Sequence, residues 1–308
     1  MKERMLRLQQ VQINNFKNVR QGQVDFNSYK SEDFFSKTSD VLGIYGQNGS
    51  GKTAFIEALW LLKMVLLGES LPGNIKDYIY QGEKEAVINV VFSMSLGEDK
   101  YQLFYEIVIE RRGNATPVII KEGLSYKMLE EDGWTYKRGI ITHNLDDKEQ
   151  LLSPQKNYNL LTKNNKDAKV DLKVAKELAK KEQTSFIFSN EMDHIYRGNE
   201  AFNEFADIIM EIKRYARMNL FVIRNSRSGM INANLIIPFC FQVSDPETIE
   251  GGDLAIALSE PTTVPERVLS TVKNVIENLN IVLKEIIPDL TIKIKEYGEE
   301  LDENGDPV

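Results

Sequence analysis

One stretch constrains this chain more than any other. Val41-Leu42-Gly43-Ile44-Tyr45 runs into Gly46-Gln47-Asn48-Gly49-Ser50-Gly51-Lys52-Thr53, and an apolar-periodic segment follows. The first part reads as a short apolar strand, the middle as a glycine-rich turn, and Lys52-Thr53 as the opening of a helix. The spacing G-x-x-x-x-G-K-[ST] in that context is the pattern of a phosphate-binding loop. Gly46, Gly49 and Gly51 permit backbone angles that let consecutive N–H groups turn inward around phosphate oxygens. The positive end of the following helix points at the same oxygens. Gln47, Asn48 and Ser50 complete the loop. Lys52 supplies a mobile charge for the terminal phosphates, and Thr53 offers a hydroxyl to Mg²⁺. Phe55, Ile56, Leu59, Leu62 and Leu66 recur at helical spacing and predict a buried stripe on that helix.

Around this loop the chain alternates between patterns. Leu6–Ile13 and Gln23–Phe26 read as strands on either side of Asn14–Val19, and residues 27–40 as a polar loop. Leu71–Asn74 is a turn. From Ala86 the period becomes two: Ile88, Val90, Phe92 and Met94 share one strand face, and Leu103, Tyr105, Ile107 and Ile109 the next. Val118–Leu129 and Trp134–Thr142 continue the series, with glycine-containing turns between. This predicts an antiparallel meander over 86–142, where a doubly wound fold would show crossover helices.

Residues 144–183 are polar, with a helix expected over Asp171–Glu182 carrying Leu172, Ala175 and Leu178. A second helix is expected over Asn199–Met218. Leu220–Ile223, Leu235–Phe241 and Leu254–Leu258 read as strands. Thr263-Val264-Pro265-Glu266 is a capping box opening a helix with Val268, Val272, Val275, Leu279, Val282 and Ile286, stopped by Pro288. Leu290, Ile292 and Ile294 then alternate as in a strand. The domain boundaries that follow are 1–143 for a P-loop lobe with the meander, 144–218 for a helical segment, and 219–308 for the start of a second lobe. An Asn304-Gly305 turn with only Pro307 and Val308 after it suggests that this second lobe is incomplete.

The formal charge of −8 over 308 residues gives no general basic footprint, so any nucleic-acid contact would need a local patch. A single cysteine, Cys240, permits no internal disulfide and fits a reducing compartment. The N-terminus lacks an apolar signal core, and Ala58–Leu67 is interrupted by Lys63 and too short to span a bilayer. A cytoplasmic protein without a membrane segment is expected.

The loop form Gly46–Thr53, with Asn48 at its third position, stands downstream of Ile13-Asn14-Asn15-Phe16-Lys17-Asn18-Val19. Together these resemble the ABC-type ATPase heads of the RecF, SMC and OLD-nuclease class, where N-F-[RK] precedes G-x-N-G-x-G-K-[ST]. The later segments are similar to small bacterial AAA-type proteins of that group, many of which occur in phage defence. The resemblance implies an α/β P-loop NTPase of ABC type, with a mixed sheet, an antiparallel meander and a helical segment. It implies ATP and Mg²⁺ held by Gly46, Gln47, Asn48, Gly49, Ser50, Gly51, Lys52 and Thr53, with Thr53 on the metal and Lys17 near the phosphates or the nucleotide edge. Gln81 is a candidate for the family's Mg²⁺-sensing glutamine, though nothing local fixes it. A homodimer closed through the nucleotide site of the complete protein, with an effector protein or nucleic acid as further partner, is also implied.

Three parts of such heads have no counterpart in this sequence: an L-S-G-G-Q signature, an apolar strand ending in Asp-Glu, and a switch histidine. Leu220–Ile223 runs into Arg224-Asn225. Phe186-Ile187-Phe188 leads to Ser189-Asn190-Glu191, a polar and misplaced match. His143 and His194 read as surface or polar-contact residues. No catalytic residue is therefore assigned, and ATP hydrolysis is expected to be slow or absent in this chain. The alternative is a nucleotide-binding or interaction module without turnover. A GTPase lacks its Asn-Lys-x-Asp at usable spacing, and no arginine-rich lid supports a small-molecule kinase.

Overall fold

The computed structural model describes residues 4–26, 42–113, 116–147, 149–162, 167–197, 199–222, 224–225, 231–232, 236–244, 249–257, 264, 266–286 and 291–295. Two compact units divide the chain, Met1–Ala216 and Arg217–Val308.

The first unit begins with a hairpin, β1 (Arg4–Phe16) and β2 (Val19–Asp25), closed by the two residues Lys17-Asn18. Helix α1 (Lys52–Leu66) carries the phosphate-loop motif at its start. The predicted meander is then present: β3 (Glu85–Leu96), β4 (Asp99–Glu110), β5 (Val118–Glu130), the short β6 (Gly133–Trp134) and β7 (Arg138–Asn144). Every described pairing is antiparallel, in the order β2-β1-β3-β4-β5, with β6 and β7 both on β5. Period two does what it predicts: Ile88, Val90 and Phe92 on β3 and Leu103, Tyr105 and Ile107 on β4 are all buried.

Four helices follow, α2 (Gln155–Thr162), α3 (Ala168–Glu182), α4 (Asn190–Arg197) and α5 (Asn203–Met218). Their apolar faces join the sheet and α1 in one hydrophobic core. On α1 the buried face is Ala54, Phe55, Ala58, Leu61, Leu62, Val65 and Leu66, a broader stripe than expected, while Ile56 and Leu59 sit at its margin. The helix ends in a Schellman arrangement. The Gly68 N–H donates to the Val65 carbonyl and the Glu69 N–H to the Met64 carbonyl. Gly68 has φ 72°, and a Cβ there would lie 2.4 Å from the Phe188 carbonyl oxygen, so glycine is required twice over.

A buried carboxylate ties β5 to the segment between α3 and α4. Glu122 Oε1 accepts from Tyr105 Oη (2.6 Å) and Ser185 Oγ (2.7 Å), and Oε2 from the amides of Phe186 (2.7 Å) and Ile187 (3.2 Å). Burial pushes its pKa up, and these four donors pull it back. Residues 186–188 are thus a buried, carboxylate-anchored turn, and Ser189 caps α4 by accepting from the Met192 N–H. Of the two expected environments, surface or polar contact, His143 has the second. It is buried at 2% exposure, stacks on Phe186 and shares a hydrogen bond with the Leu151 carbonyl through Nδ1. His194 is exposed, as expected.

The second unit contains β8 (Arg224–Asn225) paired with β9 (Ile231–Asn232), the hairpin of β10 (Ile236–Ser244) and β11 (Ile249–Ala257), and α6 (Glu266–Ile286). Val268, Val272 and Ile276 of α6 are buried with Val264, Val275, Leu279 and Ile292 around them. Residues 291–295 carry no strand pairing. The Asn280 carboxamide stands in for a partner strand, donating to the Ile292 carbonyl and accepting from its N–H, both at 2.8 Å. The expected strand over 220–223 is absent at Leu220–Val222, which carry no strand pairing. The polar loop 27–40, Thr263 and Pro265 of the capping box, Pro288 and the Asn304-Gly305 turn lie outside the described residues.

Candidate phosphate-binding site

The loop 46–51 stands at the start of α1, as its sequence predicts. Gly49 (φ 85°) and Gly51 (φ 95°) both occupy the left-handed region that the turn requires. The Ser50 N–H donates to the Gln47 carbonyl at 3.2 Å, closing the turn, and the Phe55 N–H donates to Gly51 at 3.0 Å, starting the helix. Gly51 is the helix N-cap, so no side chain caps the first turn, and no acidic residue lies in it. An uncapped helix start presents N–H groups and positive potential to an anion. Lys52 Nζ folds over the loop, donating to the Gly46 (2.6 Å) and Gln47 (2.8 Å) carbonyls and lying 3.3 Å from Ser50 Oγ. Thr53 is exposed beside it. The motif residues Gly46 to Thr53 therefore form one accessible surface centred on the Lys52 ammonium.

The apolar run before the loop behaves differently from its reading as a strand. Leu42, Ile44 and Tyr45 are 48%, 39% and 93% exposed, and no described strand pairs with them. An extended segment becomes a strand only when a neighbour satisfies its backbone, which local sequence does not supply.

The β1–β2 turn comes to the loop from the other side. Lys17 has φ 53°, uncommon for a side chain of that size, and its N–H donates to the Tyr78 carbonyl at 2.8 Å. Its ammonium forms an ion pair with Glu57, one turn beyond Thr53 on α1, and lies 5.0 Å from the Tyr78 ring centroid. Next in sequence, Asn18 Nδ2 donates to the Gly49 carbonyl at 2.7 Å. Val19 then packs against Gly51, where a Cβ would lie 2.5 Å from Val19 Cγ2. The predicted Lys17 is thus brought next to the loop's helix. Asn18, Val19 and Glu57 join it without having been singled out from sequence. The signal available was their position, since Asn18 and Val19 sit inside the upstream motif and Glu57 lies four residues after Thr53 on the same helix face. Gln81 is exposed in the turn before β3. Among the described residues no cluster of three or more His, Cys, Asp or Glu could hold a metal by itself, and no helix is long and apolar enough to cross a membrane.

A glycine-rich loop with left-handed glycines at an uncapped helix start, in one unit with an antiparallel meander and helices, has the form of a phosphate-binding P-loop. A profile of the AAA domain family matches residues 10–303, nearly the whole chain. The chain belongs to the AAA domain family. No curated protein matches it. Among solved structures, it is similar to that described as "the recombination mediator protein RecF-ATP in RecFOR pathway", at 13% identity and TM-score 0.26, covering 93% of this chain and 70% of that one. The family assignment rests on the profile match.

Proposed function

We propose that this chain is a RecF/SMC/OLD-like ATPase head that binds Mg-ATP. Gly46 to Gly51 and the α1 amides hold the phosphates, Lys52 serves the β- and γ-phosphates, and Thr53 holds Mg²⁺. The observation that carries this reading is the loop itself, with Gly49 and Gly51 in left-handed backbone at an uncapped helix start and the Lys52 ammonium drawn across it. Phosphate binding at such a site follows from its N–H groups, its dipole and its lysine.

Residues 219–308 belong, in this reading, to the second lobe of the same head. ATP would close two heads against each other through the nucleotide, and the closed pair would act on an effector protein or nucleic acid in the cytoplasm, phage defence being the setting the resemblance suggests. Sedimentation of the chain with and without Mg-ATP tests the closure. A nucleotide-dependent dimer that K52A fails to form is the expected result, and an oligomeric state indifferent to nucleotide contradicts it. A second reading, binding without turnover, is favoured by the sequence itself, in which no apolar strand ends in Asp-Glu to complete the metal site or orient water. Turnover below about 1 s⁻¹ agrees with that reading, whereas faster hydrolysis lost in K52A establishes a working site.

A further inference from the structure

We infer that Asn18 is a positioning residue of the phosphate loop, fixing the Gly49–Ser50 peptide that closes its turn; this rests on the Mg-ATP reading above. The Asn18 carboxamide donates to the Gly49 carbonyl at 2.7 Å. A trans peptide points its C=O and the following N–H in opposite directions. Holding the Gly49 carbonyl toward the hairpin therefore turns the Ser50 N–H into the loop, where it meets the Gln47 carbonyl at 3.2 Å. Gly49 itself restrains that peptide little, because it has no Cβ and nothing stands within 4 Å of where one would be.

The neighbours of Asn18 make the brace rigid. Val19 fills the space beside Gly51, and Lys17 is paired to Glu57 on α1. The hairpin backbone is fastened to the segment before β3, with the Lys17 N–H on the Tyr78 carbonyl and the Tyr80 N–H on the Asn15 carbonyl, both at 2.8 Å. β1 is paired on both sides, to β2 and β3. Three successive residues of one sheet-anchored turn thus reach the helix, Gly49 and Gly51. A loop held in shape before the ligand arrives costs less ordering on binding.

The test uses the full chain, wild type, N18A and N18D, with displacement of a fluorescent ATP analogue by Mg-ATP and Mg-ADP. N18A should weaken both nucleotides by about 3- to 10-fold, the range of one neutral hydrogen bond. N18D should lose more, since it has no donor and places a negative charge at the loop. The unliganded melting temperature of N18A should stay within about 1 °C of wild type, because the lost bond is exposed, while the Ser50 amide exchanges faster. Affinity unchanged in N18A overturns the inference and leaves the Mg-ATP reading standing. A fall in melting temperature with no change in Ser50 exchange makes Asn18 merely structural and overturns it also. A wild-type chain that binds no nucleotide overturns both, a pattern distinct from failure of the variant alone.

Discussion

Gly51 carries two constraints that no other residue type meets. Its φ of 95° lies in the left-handed region, and a Cβ would meet Val19 Cγ2 at 2.5 Å. G51A should therefore cost about 1–2 kcal/mol for backbone handedness plus a steric part. The double variant V19A/G51A should recover only the steric part, as chemical denaturation of the two will show. His143 supplies a pH dependence. Burial is the main cause that lowers its pKa to about 4, so the ring is neutral in the fold, with Nδ1–H donating to the Leu151 carbonyl. The unfolded chain takes up a proton near pH 6.5, the folded one only near 4. Stability should be full above pH 6.5, fall on acidification between these values, and level off for this group below 4. The slope of unfolding free energy over that window should flatten in H143Q, and an unchanged slope would show that His143 is not the group responsible.

At the scale of elements, much of the architecture was legible because it is periodic. β3, β4 and β5 bury alternate residues and were readable strand by strand, and α5 and α6 announce themselves by apolar stripes. What was not legible depends on distant partners. The 42–45 segment is apolar and yet unpaired among the described residues, since pairing is settled by neighbours and not by composition. α2 and α4 are short, polar on average, and held by contacts such as Asn199 Nδ2 on the Leu160 carbonyl and Tyr196 Oη on the Ile187 carbonyl. The 186–188 turn has no periodicity, and its anchor Glu122 lies on another element. A signal for Glu122 did exist: it shares strand parity with Leu124 and Tyr126, which places a carboxylate on the buried face. E122A strands the Phe186 and Ile187 amides and two hydroxyls without an acceptor, so a loss of about 3 kcal/mol or more is expected in urea unfolding. A loss under about 1 kcal/mol would mean that the turn reorganises around another partner.

For the whole molecule, the larger unit, Met1–Ala216, has a hydrophobic core drawn entirely from residues 6–216, so this unit expressed alone should show a single cooperative transition in urea. The candidate site was legible in one part and hidden in another. The loop from Gly46 to Thr53 was readable because phosphate binding dictates residue types at fixed spacing. The brace of Lys17, Asn18, Val19 and Glu57 was not, because it is made when the turn of one hairpin meets a helix encoded more than thirty residues later. The central claim is that this loop binds a Mg-nucleoside triphosphate through Lys52. Calorimetric titration of the full chain with Mg-ATP tests it most directly: the wild type should bind, and K52A, having lost a charge-assisted phosphate contact, should bind at least about 10-fold more weakly or not detectably. Equal affinity in the two proteins would contradict the account.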